Sequence, residues 1–173
     1  MKHYKTIKKC RLCESKKLSQ TLSFGKVPLG NNLLYNQSSS LRAKKYPLGL
    51  QNCNRCNHYQ LSHEVNPKLL YATNYSYLTG VGKSFIKHFK DYVPWIENKC
   101  KLSKGDKILD VGSNDGTCLK FFKKNNYKVV GIDPAKMPAT KANKSKIKTY
   151  NIFFNDRGSE ILLKKEGKFD FIT

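Results

Sequence analysis

The clearest pattern of apolar and polar positions lies in the second half of the chain. Residues 108–111 form a short apolar run that predicts a buried parallel strand, and residues 129–132 form a second one. Between them, residues 118–122 place their apolar side chains at the spacing of a short helix. A tight turn at residues 112–116 joins the first run to this helix, and Asp133 ends the second run. The pattern predicts a strand, a glycine turn, a helix and a strand that ends in an acid.

Further apolar runs continue this pattern towards residue 173. Pro134-Ala135 predicts the start of a helix, and residues 147–154 predict a third strand. Residues 161–163 fit a helix, and residues 169–172 predict a fourth strand. Strands that alternate with helices predict an α/β fold with a parallel sheet over residues 105–173.

The first 80 residues have a different texture, with many turns and few stretches of helical period. Strands are predicted at residues 20–24, 32–35 and 46–51, and Ser38 to Ser40 are predicted to form a loop tip. These features favour a small α+β domain over residues 1–80.

One amphipathic helix is predicted between these two parts. Apolar residues recur at helical spacing from Lys83 to Asn98, and Pro94 is expected to kink or end the first half of this helix. The predicted organisation is therefore a small domain at 1–80, a linker helix at 81–104 and a sheet domain at 105–173.

Four cysteines of the first domain occur as two pairs with CxxC spacing, Cys10 with Cys13 and Cys53 with Cys56. A CxxC turn directs two thiolates at one ion, and two such turns complete a closed tetrahedral zinc site. The spacer between the pairs is longer than in a compact zinc ribbon, so a small subdomain is expected between them. We interpret the zinc as structural, because no open coordination position is implied.

The turn at residues 112–116 has the residue types of a nucleotide-binding turn. Glycine lets the backbone approach a ligand closely, and the start of the next helix offers unpaired N–H groups. An acid at the end of the second strand, Asp133, can accept hydrogen bonds from both hydroxyls of a ribose. The glycines read G-x-x-x-G, with Asp110 two residues before Gly112, instead of the dinucleotide pattern G-x-G-x-x-G. This arrangement resembles the S-adenosylmethionine motif of Rossmann-like methyltransferases.

Two tyrosines in the stretch 74–80 are the candidate catalytic residues. Tyr75 and Tyr77 are two positions apart on a predicted extended run, so their side chains are expected on one face. A pair of phenols that lines a pocket could bind or deprotonate a substrate hydroxyl. The alternative interpretation is two half-buried aromatic residues of a strand.

The formal net charge of +21 would fit a nucleic-acid-binding protein. Nearly all of this charge is lysine, however, whereas proteins that read bases and phosphates rely on arginine for bidentate contacts. The lysines are also scattered through the chain, so we interpret them as solvated surface and do not expect nucleic acid as a partner. The charge could still favour an anionic substrate such as a nucleotide diphosphate.

No membrane-spanning or targeting segment is predicted. The apolar runs fall short of the ~18 residues of a membrane span, and the N-terminus lacks the apolar region of a secretory signal. A cytoplasmic protein is therefore expected, in which the cysteines are thiols or metal ligands and not disulfides. Cys100 and Cys118 lack a second cysteine at ligand spacing and are interpreted as buried thiols.

Taken in order, the motifs resemble those of the sugar C-methyltransferase family. The similar stretches are CRLC, YPLGLQNCNRCNHYQL, YATNYSYLTGVGKSFIKHF, ILDVGSNDGTCLKFF and VVGIDPA. The resemblance implies an N-terminal zinc-binding domain and a Rossmann-like domain that uses S-adenosylmethionine. It also implies methylation of a ring carbon of a nucleotide-linked 4-keto deoxysugar. In that chemistry a base removes the proton next to the ketone, and the resulting enolate attacks the methyl group.

The resemblance implies roles for individual residues. The zinc ligands would be Cys10, Cys13, Cys53 and Cys56. The cofactor would be contacted by Gly112, Asn114, Asp115, Gly116 and Asp133. The segment that carries Tyr75 and Tyr77 would face the sugar.

Family members have further strands and catalytic residues beyond the fourth strand, and these lack counterparts in the 173 residues. We therefore expect an incomplete Rossmann-like sheet, either the front part of a longer enzyme or one chain of a pair in which a second chain supplies the missing strands. Two other functions stay open. A zinc-containing ribosomal RNA methyltransferase would explain the charge, although its zinc ribbon is more compact. A zinc-bearing adaptor protein could lack any cofactor.

Overall fold

A computed structural model describes residues 3–30, 32–72 and 75–173 of the chain. It divides into two compact units, Met1–Asn74 (unit 1) and Tyr75–Thr173 (unit 2). The domain boundaries expected at residues 80 and 104 stay predictions, because a division into compact units does not define where each domain begins.

Unit 1 is built mainly from short antiparallel strands. In its described part, β2, β3 and β4 form one sheet in that order, and β1 pairs with β5. The subdomain expected between the two cysteine pairs is therefore a hairpin of β2 and β3, with α1 in their connection. The elements are β1 (Tyr4–Thr6), β2 (Leu18–Pro28), α1 (Gln37–Leu41), β3 (Lys45–Cys53), β4 (Tyr59–Leu61), β5 (His63–Val65) and a π-helical turn (Lys68–Ala72).

Two of the local predictions for unit 1 are confirmed and two are wrong. Residues 20–24 lie in β2, and residues 46–51 lie in β3. Residues 32–35 form no strand, and Ser38 to Ser40 lie within α1 and not in a loop tip. This helix begins at an N-terminal cap, because the side chain of Asn36 accepts a hydrogen bond from a backbone amide of the first turn.

Unit 2 contains a parallel sheet. Its described strands pair in the order β8, β7, β6, β9, and every neighbouring pair is parallel. The predicted α/β fold with a parallel sheet is thus confirmed. The elements are a 3₁₀ turn (Thr79–Val81), α2 (Lys83–Cys100), β6 (Lys107–Val111), α3 (Thr117–Lys124), β7 (Lys128–Ile132), α4 (Lys136–Lys144), β8 (Thr149–Tyr150), α5 (Asp156–Glu166) and β9 (Phe171–Ile172).

Helices cover both faces of this sheet. The adjacent residues Ile108 and Leu109 of β6 belong to different clusters, which explains why the strand reads as a continuous apolar run. The first cluster consists of Val93, Ile96, Ile108, Cys118, Leu119, Phe122, Tyr127, Ala142 and Ile147. The second cluster consists of Leu109, Val130, Ile132 and Leu162.

Helix α2 packs on the first cluster of unit 2. Its residues Val93 and Ile96 are 1% and 7% exposed. The helix continues through Pro94, so this proline does not end it as the sequence suggested. Cys118 is buried as predicted, whereas Cys100 is exposed at the end of α2. In the described part of the chain, no helix is both long and apolar enough to cross a bilayer.

The last two predicted strands are shorter than expected. Only Thr149–Tyr150 of the run 147–154 is a strand, and β9 contains Phe171–Ile172. The apolar residues that flank β8 serve packing instead, since Ile147 lies in the first cluster and Ile152 packs against the second.

The parallel pairing of β6 and β7 brings their carboxyl ends to one edge of the sheet. Val111 at the end of β6 pairs with Ile132 at the end of β7. The turn after β6 and the acid after β7 are therefore neighbours. Gly131 makes the close approach possible, because a Cβ at this position would collide with the side chain of Ser113 in the turn.

Replacing Gly116 with alanine should destabilise unit 2 more than the same change at Gly105. Both glycines have a positive φ, +73° and +93°, so alanine should strain the backbone by about 1 kcal/mol at either position. Only at Gly116 would the new Cβ meet another residue, Ile147 at 2.9 Å, and this should add a loss of about 1–3 kcal/mol. Urea unfolding measures the difference, and equal losses would contradict the packing role of Gly116.

Candidate functional site

The four paired cysteines come together in unit 1. All four Sγ atoms lie within 4.8 Å of one another. The Sγ atoms of Cys10 and Cys56 are 3.6 Å apart, and those of Cys13 and Cys53 are also 3.6 Å apart. Four sulfurs bound to one zinc at about 2.3 Å would be about 3.8 Å apart. The cluster therefore has the dimensions of a tetrahedral zinc site, with two ligands from each CxxC turn.

The two CxxC turns share one backbone conformation. The amides of Glu14 and Asn57 donate to the carbonyl of the first cysteine of their own turn, at 2.9 and 2.8 Å. Both residues are left-handed, with φ of 59° and 58°. The amide of each first cysteine donates in return to the carbonyl of Ser15 or His58, at 2.8 and 2.9 Å. Two equivalent turns thus present two thiols each to one point.

The environment of Cys53 favours the ionised sulfur that a metal requires. This residue is completely shielded from solvent, and burial alone would raise the pKa of its thiol. Hydrogen bonds from the amides of Cys56 and Arg55, and from neighbouring thiols, lower the pKa to about 6 instead. Thiolate sulfur is the ligand that structural zinc sites use.

The turn between β6 and α3 is buried except at Gly112, whose backbone is uncovered. Gly112, Asn114 and Gly116 all have positive φ, between 50° and 77°. No described heavy atom lies within 4 Å of the position that a Cβ of Gly112 would take, so its backbone borders open space. At Gly116 a Cβ would meet Ile147 and Ala142, so this glycine serves packing. The uncovered backbone at the carboxyl edge of the sheet has the form of a nucleotide cradle.

Asp133 is buried and fixes the turn. Its Oδ2 accepts a hydrogen bond from the amide of Asn114 at 2.8 Å, and its Oδ1 accepts one from the amide of Ala135 at 2.7 Å. A carboxylate oxygen can accept two hydrogen bonds, so each oxygen retains a lone pair. Asp133 can therefore hold the turn and still accept the two hydroxyls of a ribose.

Asp110, at the end of β6, is a second acid beside the turn. Burial, together with the charge of Asp133, raises the pKa of Asp110 to about 7. Its side chain is half-buried, and its carboxyl group has no hydrogen-bond or ion-pair partner in the described part of the chain. Burial and the charge of Asp110 also raise the pKa of the Cys118 thiol, which therefore stays neutral. An unpartnered carboxyl group next to another acid is a place where a cationic group of a ligand would be stabilised.

The side chains of Asn114 and Asp115 contact the segment that precedes α2. Asn114 donates from Nδ2 to the carbonyl of Tyr77 at 3.1 Å, and its Oδ1 accepts from the amide of Thr79 at 2.9 Å. Asp115 accepts from the amide of Gly80 at 3.1 Å. Two of the five residues predicted to contact the cofactor thus use their side chains to hold residues 77–80.

Tyr75 and Tyr77 lie next to this contact and touch each other. Their ring centroids are 6.5 Å apart in an edge-to-face arrangement, and Tyr77 also contacts Phe85 at 6.2 Å. Residues 75–78 form no regular strand. Tyr77 is 37% exposed, so part of its ring is accessible. The catalytic role of both tyrosines stays a prediction.

Sequence reasoning missed the importance of Gly80. A Cβ at this position would lie 2.6 Å from Thr117 Oγ1 and 2.7 Å from Asp115 Oδ2. Glycine is therefore required for the segment to approach the start of α3. The only signal in the sequence is a glycine three residues after Tyr77, and no local pattern connects it with residues 115 and 117.

Removing the metal should unfold unit 1 and leave unit 2 folded. Zinc contributes about 10–16 kcal/mol to the folding of zinc-finger peptides. Apart from two of the clustered cysteines, Tyr46 is the only apolar side chain that is buried in the described part of unit 1. After chelation, hydrogen exchange should become fast in β3 and stay slow in β6 and β7. Cys53→Ser should lose the zinc and Cys100→Ser should keep it, whereas slow exchange in β3 without metal would contradict the prediction.

Replacing Asp110 with asparagine should stabilise the protein at pH 8. The folded protein holds a proton on Asp110 up to about pH 7, so stability falls as the pH rises from the unfolded pKa of about 3.9. The neutral amide of the Asp110→Asn variant would remove this cost, and we expect a gain of about 1–3 kcal/mol at pH 8 and almost none at pH 4. Thermal unfolding at both values measures it, with the exposed Asp156→Asn as a control without a gain. A loss at pH 8 would refute the argument.

The comparisons with known proteins follow the division into two units. Residues 10–71 match a family described as "Putative zinc binding domain", and residues 84–173 match one described as "Methyltransferase domain". The first match contains all four cysteines of the cluster, which confirms the predicted zinc centre. The second contains the glycine turn, Asp110 and Asp133.

Individual proteins are similar to the chain over different lengths. The C-methyltransferase NovU of Streptomyces niveus is 30% identical over 161 residues, which are 93% of this chain and 38% of that protein. The structure of DesVI from Streptomyces venezuelae has a TM-score of 0.35 and 21% identity, over 42% of this chain and 31% of that chain. The plantazolicin methyltransferase BpumL, in complex with SAH, has a TM-score of 0.35 and 21% identity, over 49% of this chain and 32% of that chain.

The family match and the geometry concern the same residues. The pair of cofactors predicted from the sequence, structural zinc and S-adenosylmethionine, agrees with a zinc-binding domain followed by a methyltransferase domain. The predicted order of the two domains is confirmed as well. Since the methyltransferase match covers more than half of the 173 residues, the chain belongs to the methyltransferase domain family.

Proposed function

We propose that this chain binds S-adenosylmethionine and serves C-methylation of a nucleotide-linked 4-keto deoxysugar. The chain spans 38% of the length of NovU, so the activity of the whole relative is part of the proposal. Its 30% identity to this C-methyltransferase over 93% of the chain supports transfer to carbon. The resemblance of its motifs to sugar C-methyltransferases supports the sugar substrate.

One observation carries the cofactor assignment, the open space next to Gly112 at the sheet edge where β6, with Asp110, and β7, followed by Asp133, end. The uncovered backbone of Gly112 admits a ligand at the carboxyl edge of the sheet. Asp133, which keeps one lone pair on each oxygen, is the acceptor for the ribose hydroxyls. The residues present therefore fit an adenosine, and S-adenosylmethionine has no pyrophosphate that would demand the longer dinucleotide turn.

Asp110 is the group that we assign to the positive charge of the cofactor. S-adenosylmethionine carries an ammonium and a sulfonium, and its product S-adenosylhomocysteine keeps the ammonium. A cation next to Asp110 favours the ionised carboxylate and offsets its burial and the charge of Asp133. Binding of such a ligand would therefore lower the pKa of Asp110.

The chemistry divides between the cofactor and the residues of the chain. When bound, S-adenosylmethionine supplies a methyl group that is electrophilic because its sulfonium accepts the electron pair of the breaking carbon–sulfur bond. Tyr75 and Tyr77 are the residues that we propose for the sugar. A phenol can donate a hydrogen bond to the ketone oxygen, which acidifies the neighbouring carbon, or its phenolate can take the proton from that carbon.

The proposal includes the compartment. A cluster of four thiolates and the additional thiols of Cys100 and Cys118 require a reducing environment, which supports the cytoplasm. The zinc has no catalytic part in this proposal, because four cysteines fill its coordination sphere.

Titration with S-adenosylhomocysteine tests the cofactor site. Asp110 should be about one tenth ionised at pH 6 and about nine tenths at pH 8 if its pKa is near 7. Calorimetry should therefore show binding that is about tenfold tighter at pH 8 than at pH 6 in the wild type. Asp110→Asn should bind weakly, with little dependence on pH, and Gly112→Val should not bind because it fills the open space.

Two outcomes would contradict this function. If the wild type gives no heat with S-adenosylhomocysteine at high protein concentration, the zinc-bearing adaptor becomes the better interpretation. If binding is equally tight for wild type and Gly112→Val, the cofactor lies elsewhere. Leu163→Ser, an exposed change on α5, is a matched control for a surface substitution and should bind like the wild type.

A further inference from the structure

Residues 75–82, here called the tyrosine segment, are hydrogen-bonded to the turn between β6 and α3. The bonds come from side chains of that turn. Asn114 bonds the backbone on both sides of Leu78, through the carbonyl of Tyr77 and the amide of Thr79. Asp115 bonds the next amide, that of Gly80, at 3.1 Å. Two adjacent residues of the turn thus hold three backbone groups within residues 77–80.

The burial and backbone conformation of the two residues suit this role. Asn114 and Asp115 are 8% and 1% exposed, so their hydrogen bonds are shielded from water. Asn114 has a φ of 50°, a conformation that asparagine tolerates better than most residues. The second oxygen of Asp115 accepts from Thr117 Oγ1 at 2.6 Å, which fixes the carboxylate at the start of α3. Gly80 is the residue that lets the segment come close enough.

One residue joins the segment to the group that we assign to the ribose. The amide of Asn114 donates to Asp133 Oδ2 at 2.8 Å, while its side chain holds Tyr77 and Thr79. A ligand that binds Asp133 and Gly112 therefore stabilises the turn conformation on which these hydrogen bonds depend. Asn114 therefore connects Asp133 directly with the tyrosine segment.

We propose that Asn114 and Asp115 are positioning residues, which couple occupation of the cofactor site to the ordering of the tyrosine segment. The inference rests on the proposed function, because it requires a cofactor on the turn. It assigns these two side chains to the segment and leaves contact with the cofactor to the backbone of the turn. Tyr75 and Tyr77 would thus reach their working positions when the methyl donor is bound.

Three variants separate this role from a general loss of structure. Asn114→Gly removes both side-chain bonds and still tolerates the positive φ. Asn114→Asp keeps the acceptor for Thr79 and loses the donor to Tyr77, so it should restore part of the effect. Asn126→Gly is the matched control, because Asn126 also has a positive φ (69°) and lies exposed in the loop before β7.

Hydrogen exchange of the Thr79 and Gly80 amides, with and without S-adenosylhomocysteine, is the readout. The ligand should slow these amides about tenfold in the wild type and in Asn126→Gly. In Asn114→Gly they should exchange about tenfold faster without ligand and should not respond to it. Because coupling is reciprocal, the affinity for S-adenosylhomocysteine should fall by no more than about tenfold in Asn114→Gly, and Asn114→Asp should recover a response at Thr79.

Each contrary result has a distinct meaning. If the ligand binds the wild type but the two amides do not respond, the coupling is refuted and the proposed function stands. If Asn114→Gly weakens binding more than about tenfold, its side chain contacts the cofactor directly and the assignment is overturned. If the wild type does not bind the ligand at all, the proposed function fails, and the inference fails with it.

Discussion

The carboxylate of Asp133 is the group on which the candidate site depends. It ties the end of β7 to the turn after β6 and to the start of the next helix, through the amides of Asn114 and Ala135 at 2.8 and 2.7 Å. Both bonds are buried, so losing the acid would leave two buried amides without their acceptor. The uncovered backbone of Gly112 and the orientation of Asn114 both follow from the turn that this carboxylate holds. The acid therefore acts first as a structural element, and its remaining lone pairs can accept the hydroxyls of the proposed ligand.

The two units reach stability by different physical means. In the described part of unit 1, the buried apolar side chains are those of Cys10, Tyr46 and Cys53, too few for a core. Four thiolates and a zinc ion supply instead the cross-link that joins its two ends. Unit 2 has two apolar clusters, one on each face of its sheet. These clusters stabilise the sheet, so its carboxyl edge can carry the acids of the candidate site. A metal site that only supports the fold leaves the chemistry to unit 2.

The elements that could be predicted from the sequence are those whose structure depends on neighbouring residues in the chain. The strands around residues 108–111 and 129–132, the turn between them and the paired cysteines all follow from composition and spacing, and the structure contains them. The run at 147–154 misled because its apolar residues pack against helices, while only two residues pair in the sheet. The contacts of Asn114 and Asp115 with residues 77–80 could not be predicted either. They join positions about 35 residues apart, and the residue types alone suit a cofactor contact as well as a structural one.

The proposed site for a cationic ligand rests on the two acids Asp110 and Asp133. Two carboxyl groups at adjacent strand ends repel each other, and burial adds to the cost of ionising Asp110. A protein selected for stability alone would replace one of them with a neutral residue, since Asp133 already forms both structural hydrogen bonds. The carboxyl group of Asp110 forms no such bond in the described residues, so the fold gains nothing from its charge. A positively charged ligand is the partner that makes this charge favourable, because it screens the repulsion and stabilises the carboxylate at the same time.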